Sequence, residues 1–337
     1  MTVRFVVPRP SAPSGGHGYN AAVLRHWPGS PPRMVELDGP WPRGNAASRE
    51  ALRAALDGPE VVLLDGLVGA ASPQLIEEAA GRGVRIVLLV HLPLAAEGGL
   101  SDAERRELAE LEERSIRASW RVVATSRTAA DELARQVGRD DIAAVPPGVT
   151  TAEPADSHDP PQLLQVGSIG PRKNQLGTVA ALKSCHDLSW TATFVGPVAD
   201  PDYAERFRAV LPATRASWAG PLQGAALDDA YAAAALLLHP AHAETWGMVV
   251  TEALARGIPA IVGAGTGAVE ALGSGSTHGL PGAAVSTGQP GPLARELRRW
   301  LTDPARRQEW RDQALGARAR LRSWDQVASE LAQVVGR

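Results

Sequence analysis

LLLHPAHAETWGMVVTEALARGIPAIV, residues 236–262, decides how the chain is read. It opens on an apolar run, breaks at a proline, carries a helical pattern through TWGMVVTEALARG, and closes on a second apolar run behind glycine and proline. Strand, loop, helix, strand is the unit of a parallel sheet, because parallel neighbours need a crossover long enough to hold a helix. The unit places Glu244 in the loop at a strand's carboxyl end, and Glu252 eight positions later on the helix. With the helix starting near Gly247, Glu252 falls in its second turn and Glu244 lies before it. The two carboxylates should therefore do different work.

The same grammar extends in both directions. Toward the amino terminus, VRFVVP (Val3–Pro8), VVLLD (Val61–Asp65), RIVLLV (Arg85–Val90) and RVVAT (residues 121–125) are short apolar runs of the kind buried on both faces of a parallel sheet. Helical patterns separate them: SREALRAALDG and SPQLIEEAAGRG, each stopping at glycine, and the long charged segment at residues 101–120. Right-handed crossovers then imply an open doubly wound sheet. Across residues 145–161, VPPGVTTAEPADSHDPP, the periodicity fails and prolines crowd, which reads as a linker. A second series follows, with strands at QLLQVGS, TATFVGP, ALLLHP, PAIVGA and GAAVS and helices at residues 175–184, 201–210, 227–235, 250–256 and 292–302. One α/β domain follows another.

With 337 residues, each domain is large enough to bury its own core. A net charge of -3 gives no general pull toward nucleic acid or anionic lipid, so an anionic ligand must be held locally. The single cysteine, Cys185, cannot form an intramolecular disulfide and fits a reducing compartment. The apolar run in MTVRFVVPRP is too short for a signal sequence, and no stretch reaches the about 18 apolar residues of a membrane span. A cytoplasmic protein is expected. Lysine occurs only twice, at Lys173 and Lys183, among 34 basic residues, which makes a lysine retained at a motif position informative.

Sites in such sheets form where strand carboxyl ends open into loops. After the first strand, RPSAPSGGHGYN (residues 9–20) is a glycine-rich loop in which Gly15 and Gly16 either let backbone amides approach a phosphate or simply make a flexible turn. After the first strand of the second half, VGSIGPRKNQ (residues 166–175) places Arg172 and Lys173 beside a helix start, with Gly167 freeing the turn. Cations there oppose the helix dipole unless an anion is bound, and a diphosphate is the natural guest. Glu244 can reach a sugar hydroxyl, the amides near Gly247 a phosphate, and Glu252 the vicinal hydroxyls of a ribose. An isolated glutamate pair on a helix would instead be a solvated face.

The surrounding residues change that balance. HPAHAETWGMVVTEALARGIPAIV resembles the glutamate, seven residues, glutamate motif of retaining glycosyltransferases with the GT-B fold, family-4 type. The resemblance spans most of the chain: SGG, VATS, VPPGV, VGSIGPRKN, GPLQGAALDDAYAAAALLLHP, the glutamate motif and SWDQVASEL occur in the family's order. It implies two Rossmann-like doubly wound domains facing across a cleft: an acceptor-side domain at residues 1–150, a linker at 151–161, and a nucleotide-sugar domain at 162–315. The helix in residues 316–337, opened by Trp324, would pack back on the first domain.

The resemblance also implies roles. Members pass a glycosyl group from a nucleotide-diphosphate sugar to an acceptor with the anomeric configuration kept. Lys173 and Arg172 would neutralise the diphosphate, Glu244 would hold hydroxyls of the donor sugar and Glu252 the ribose, and His91 would face the reacting sugar. Gly15, Gly16, Gly167, Ser168, Trp246, Gly247, Met248 and Val249 are the further donor-binding candidates. No cofactor and no metal are expected, because the two cations and the main-chain amides supply the positive charge. The partners expected are the donor and a small soluble acceptor, with no nucleic acid. A non-catalytic nucleotide-sugar-binding protein and a sugar-nucleotide epimerase of the same fold are the alternatives.

Three departures bear on the donor rather than the reaction. Ser168 stands where relatives often have arginine, TW replaces the usual pair before Gly247, and GTGAVE replaces a glycine-rich loop while keeping Glu270. Competing motifs are weaker. DPD at residues 200–202 suits a helix cap, His239 and His242 with Glu244 lack zinc-ligand spacing, and GSGSTHG at residues 273–279 lacks the dinucleotide spacing and a preceding strand.

Overall fold

The computed structural model describes residues 2–10, 14–156 and 159–336. Residues 11–13 of the glycine-rich segment, residues 157–158 of the proline-rich segment, and residues 1 and 337 lie outside the described residues. The chain divides into two compact units: Met1–Gly148 with Ser323–Arg337, and Val149–Arg322.

The first unit is built on one parallel sheet: β1 (Val3–Pro8), β2 (Arg33–Leu37), β3 (Val61–Asp65), β4 (Arg85–Val90), β5 (Arg121–Ala124) and β6 (Ala143–Ala144), in the order β2-β1-β3-β4-β5-β6. Its central strands are buried on both faces, which is why they read as unbroken apolar runs. Val62, Leu64, Ile86 and Leu88 join one core with Leu52, Ile76, Ile116 and Leu133 from the helices. Their neighbours Leu63, Val87 and Leu89 are equally buried on the opposite face. The order reverses between β1 and β3, so the loops leaving those strands diverge and leave a crevice at their carboxyl ends.

The helix Gly15–Arg25 corrects the sequence reading, which puts residues 9–20 in a loop. Gly15 and Gly16 are its first turn. Ser14 caps it, accepting from the His17 amide at 3.3 Å. Glycines disfavour a helix by about 1 kcal/mol each, so local propensity hides this one. Burial of Tyr19, Asn20, Ala22 and Val23 outweighs it. The edge strand β2 is also unannounced: among its residues only Leu37 is buried, so no apolar run marks it.

The helix Trp324–Gly336 belongs to this first unit. Trp324 meets the Tyr19 ring edge to face at 5.6 Å, His26 Nδ1 lies 2.8 Å from Asp325 Oδ1, and Arg121 donates to the Val334 carbonyl at 2.6 Å.

The second unit carries β7 (Gln162–Val166), β8 (Thr191–Val195), β9 (Ala216–Trp218), β10 (Leu236–His239), β11 (Ala260–Gly263) and β12 (Gly282–Val285), all parallel, in the order β12-β11-β10-β7-β8-β9. Alternate residues feed two cores. Leu163, Leu236, Leu238 and Ile261 pack with Trp190, Phe194, Phe207 and Trp300, while Leu164, Leu237, Ala260 and Val262 pack with Tyr231, Trp246 and Leu254. Here the reversal falls between β7 and β10. The proline-rich stretch is tied to this unit, since the Ala155 and Asp156 amides donate to the Arg256 and Ala232 carbonyls at 2.8 and 2.9 Å.

Candidate functional site

In the second unit β7 and β10 are neighbours, so the segments that leave them, residues 167–174 and 240–247, start side by side at the switch point. They are stitched together. The His242 amide donates to the Arg172 carbonyl at 2.8 Å, Arg172 returns a bond to the Ala243 carbonyl at 3.3 Å, and Asn174 donates to the Pro240 carbonyl at 3.2 Å. Two buried glutamines brace the first segment from below: Gln165 donates to the Lys173 carbonyl at 2.8 Å, and Gln175 to the Ser168 carbonyl at 2.9 Å. Arg172 and Lys173 themselves form a single 3-10 turn, Pro171–Lys173, ahead of the helix Gln175–Lys183.

The second segment is pinned by close approach. A Cβ on Gly267 would fall 1.8 Å from the Thr245 carbonyl oxygen, so only glycine fits there, and the Gly267 amide donates to the Glu244 carbonyl at 2.7 Å. Gly247 takes a positive φ of 85° and turns the chain from this loop into the helix Met248–Leu254. Both constraints fix where the Glu244 side chain starts.

Glu244 Oε2 is the focus of three groups. Lys173 Nζ donates to it, His239 Nε2 lies at 3.1 Å, and Arg172 Nη1 at 3.7 Å. The carboxylate is only 11% exposed and His239 only 1%. Burial pushes the Glu244 acid upward, but Lys173, then His239 and Arg172, more than offset it and hold the carboxyl well below the usual range. His239 moves down through burial and the nearby Lys173, against the pull of Glu244. It is thus a neutral imidazole whose Nε2–H donates to the carboxylate.

Glu252 belongs to a separate group. Its Oε2 accepts from the Tyr231 hydroxyl at 2.7 Å, and Arg256 stacks 4.7 Å from the Tyr231 ring centre while pairing with Asp228. Burial pushes the Glu252 carboxyl up, opposed by Tyr231 and Arg256. Of the other second-unit positions singled out above, the Trp246 indole is buried in a core and Met248 and Val249 pack partly against it. Asp200 caps the helix Pro201–Val210, accepting from the Tyr203 amide at 2.9 Å, so DPD is the helix cap its sequence suggests. His242 turns to Thr287 Oγ1 at 3.0 Å rather than toward His239's partner, and no group of three potential metal ligands occurs among the described residues.

In the first unit the switch-point strands β1 and β3, with β4, bring together Gly16, Asn20, Asp65 and His91. A Cβ on Gly16 would lie 3.1 Å from the His91 ring. His91 Nε2 lies 2.9 Å from Asn20 Oδ1 and 3.4 Å from Asp65 Oδ2, and Asn20 Nδ2 donates to Asp65 Oδ2 at 2.6 Å. Asp65, the last residue of VVLLD, escapes the sequence reading, as do Asn20, His239 as a partner of Glu244, Gln165, Gln175 and Tyr231. A carboxylate ending an otherwise apolar, fully buried strand is the one signal that points to Asp65.

Two family descriptions divide the chain between them: Glycosyltransferase Family 4 over residues 1–153 and Glycosyl transferases group 1 over residues 151–316. The D-inositol 3-phosphate glycosyltransferase 1 of Catenulispora acidiphila is 30% identical over 324 residues, covering 85% of this chain and 74% of that protein. The chain belongs to the group 1 glycosyltransferases. Solved structures agree on the GT-B fold of this glycosyltransferase. Anabaena Alr3699/HepE, crystallised with UDP and glucose, superposes with a TM-score of 0.76 at 15% identity over 100% of this chain and 99% of that one. The sucrose-phosphate synthase of Thermosynechococcus elongatus gives 0.75 at 19% identity over 99% and 98%. Among the described residues no helix of the glycosyltransferase is long and apolar enough to cross a membrane.

Proposed function

We propose that this glycosyltransferase moves a glycosyl group from a nucleotide-diphosphate sugar to a hydroxyl of a small soluble acceptor, with retention of configuration and without a metal ion. The observation that carries the reading is the convergence of Arg172, Lys173 and neutral His239 on Glu244 at the switch point of the second sheet. Two fixed cations beside the carboxyl ends of β7 and β10 suit the leaving diphosphate. Glu244, ionised and oriented by His239, suits hydroxyls of the donor sugar; Glu252, held by Tyr231, suits the ribose. Main-chain groups at Gly167, Ser168 and Trp246–Val249 border the same loops, and the family resemblance would add Gly15, Gly16 and His91. The relative from Catenulispora acidiphila is named for a small phosphorylated polyol, and the Anabaena structure holds a nucleoside diphosphate with a sugar; both support the chemistry.

In the reaction the bond from the anomeric carbon to the diphosphate oxygen breaks while the acceptor oxygen bonds to that carbon on the same face. The acceptor proton passes to the departing diphosphate oxygen. Lys173 and Arg172 stabilise the charge that develops there, and placement of the acceptor supplies much of the remaining rate.

Thermal shift against UDP and a panel of nucleotide sugars tests this. One nucleotide sugar at about 100 times its Kd should add about 2.7 kcal/mol of stability and turn over slowly to nucleoside diphosphate. Lys173→Ala should lose both effects, and product NMR should show the donor's anomeric configuration. A protein stabilised by no nucleotide or nucleotide sugar has some other function.

A further inference from the structure

We propose that Asp65, acting directly and through Asn20, is a positioning residue that fixes the His91 proton on Nε2. The inference rests on the reading of His91 as a group of the transfer site, and its chemistry runs through three side chains from three elements. Asp65 ends β3, Asn20 lies in the second turn of the helix Gly15–Arg25, and His91 follows β4.

Asp65 is 3% exposed, and its two oxygens have different partners. Oδ1 accepts from the Leu67 amide at 2.8 Å and Oδ2 accepts from Asn20 Nδ2 at 2.6 Å. Burial pushes the Asp65 acid upward, but His91, Asn20 and the Leu67 amide together bring it below the ordinary value, so the group is an anion. An anion is an acceptor only. It therefore dictates which end of the Asn20 amide faces it, since the reverse orientation would set two oxygens 2.6 Å apart. With the NH2 end spent on Asp65, Asn20 Oδ1 is what faces His91, at 2.9 Å from Nε2. Asp65 Oδ2 faces the same nitrogen at 3.4 Å. Two acceptors on one ring nitrogen require a hydrogen there, so whenever the ring carries a single proton that proton sits on Nε2 and Nδ1 has the lone pair.

The ring is also held in plane by packing. Gly16 lies so close that a Cβ would approach within 3.1 Å of His91 Cδ2, and the Tyr19 ring meets the imidazole edge to face at 5.1 Å. Tyr19 is itself fixed by its hydroxyl on the Val145 carbonyl at 3.1 Å. The charge of Asp65 thus sets an amide, the amide sets a tautomer, and the packed ring presents that tautomer in one orientation.

Nitrogen-15 NMR of the full-length protein labelled at histidine, with His91→Gln to assign the resonance, reads the tautomer directly. Wild-type neutral His91 should carry its proton on Nε2. Asp65→Asn, which keeps the shape but removes the charge and lets the Asn20 amide turn, should give a mixed or Nδ1–H population. It should also lower kcat with the active nucleotide sugar by about tenfold or more, leaving the donor KM within about twofold. A wild-type ring protonated on Nδ1 overturns the proposal even if Asp65→Asn does not fold, and so does an Asp65→Asn protein with unchanged tautomer and rate. A wild type that turns over no nucleotide sugar defeats the functional reading instead, while the tautomer measurement still decides what Asp65 does.

Discussion

Glu244 meets Lys173 and Arg172 through a single oxygen, so a diphosphate held by those cations, as proposed, would compete with a carboxylate already in place. Neutralising the carboxylate should therefore have opposite effects on two ligands. In Glu244→Gln the cations lose their internal anion, and UDP, which has no sugar to be held, should bind several-fold tighter by calorimetry. A nucleotide sugar gains the same cations but loses a charged acceptor for its hydroxyls, a bond of about 1.5–3 kcal/mol against about 1 for the neutral amide. Its turnover should fall about tenfold or more. If UDP binding weakens along with turnover, Glu244 supports the loop and does not compete for Lys173. His239 belongs to the same balance. Buried and neutral, it donates to Glu244 without adding a third positive charge, which keeps the carboxylate oriented but still exchangeable.

At the scale of elements, the helix Asp102–Ala118 carries Glu112, 1% exposed, whose carboxylate accepts from the Leu94 amide at 3.2 and 3.3 Å and so caps the turn Leu94–Ala96 just beyond His91. Burial pushes this acid from 4.5 up to about 7. Between those values the unfolded chain has released the proton and the folded one still holds it, so stability falls as pH rises through that window. Above about 7 both states are ionised and the full cost is present, at most about 3 kcal/mol. Glu112→Gln should raise the melting temperature at pH 8.5 and leave it nearly unchanged at pH 4.5; a gain equal at both would show that charge is not the cause. Elements differ in how plainly their sequences declare them. β3 and β4 are legible to the residue because burial on both faces leaves an unbroken apolar run. The helix Arg127–Val137 is absent from the sequence reading although Ser126 caps its start and Gly138 its end with a φ of 69°; no apolar run draws attention to it. The sequence places Lys173 and Glu244 in loops at strand ends and expects a phosphate at one and a sugar at the other, but does not announce them as partners of each other. Their contact spans 71 positions and depends on β7 lying next to β10, as the His91 contact with Asn20 depends on β1 and β4 flanking β3. Local spacing holds no record of strand order.

At the scale of the whole molecule the chain leaves the first unit after Gly148 and returns at Ser323, and the residues on the second unit's side of these crossings are bonded, Val149 N–H to the Arg322 carbonyl at 2.9 Å. The first unit is thus completed only when the last helix has been made. Trp324, Val327, Ala328, Leu331 and Val335 bury one face of that helix, and a Cβ on Gly148 would come within 2.8 Å of the Trp324 nitrogen, so the return is tightly fitted. Each unit has a core of its own, and calorimetry should resolve two transitions, the second unit's being the one that UDP raises. Trp324→Ala removes a large buried side chain from the first unit alone, which costs about 3–5 kcal/mol where a unit has about 5–15 in all. The transition that UDP does not raise should drop by several degrees or disappear, and the UDP-responsive one should keep its position and its ligand shift. Both transitions moving together would mean that the last helix stabilises the chain as a single cooperative body, and that the second unit's sheet cannot be weakened or spared independently of the sheet that holds His91.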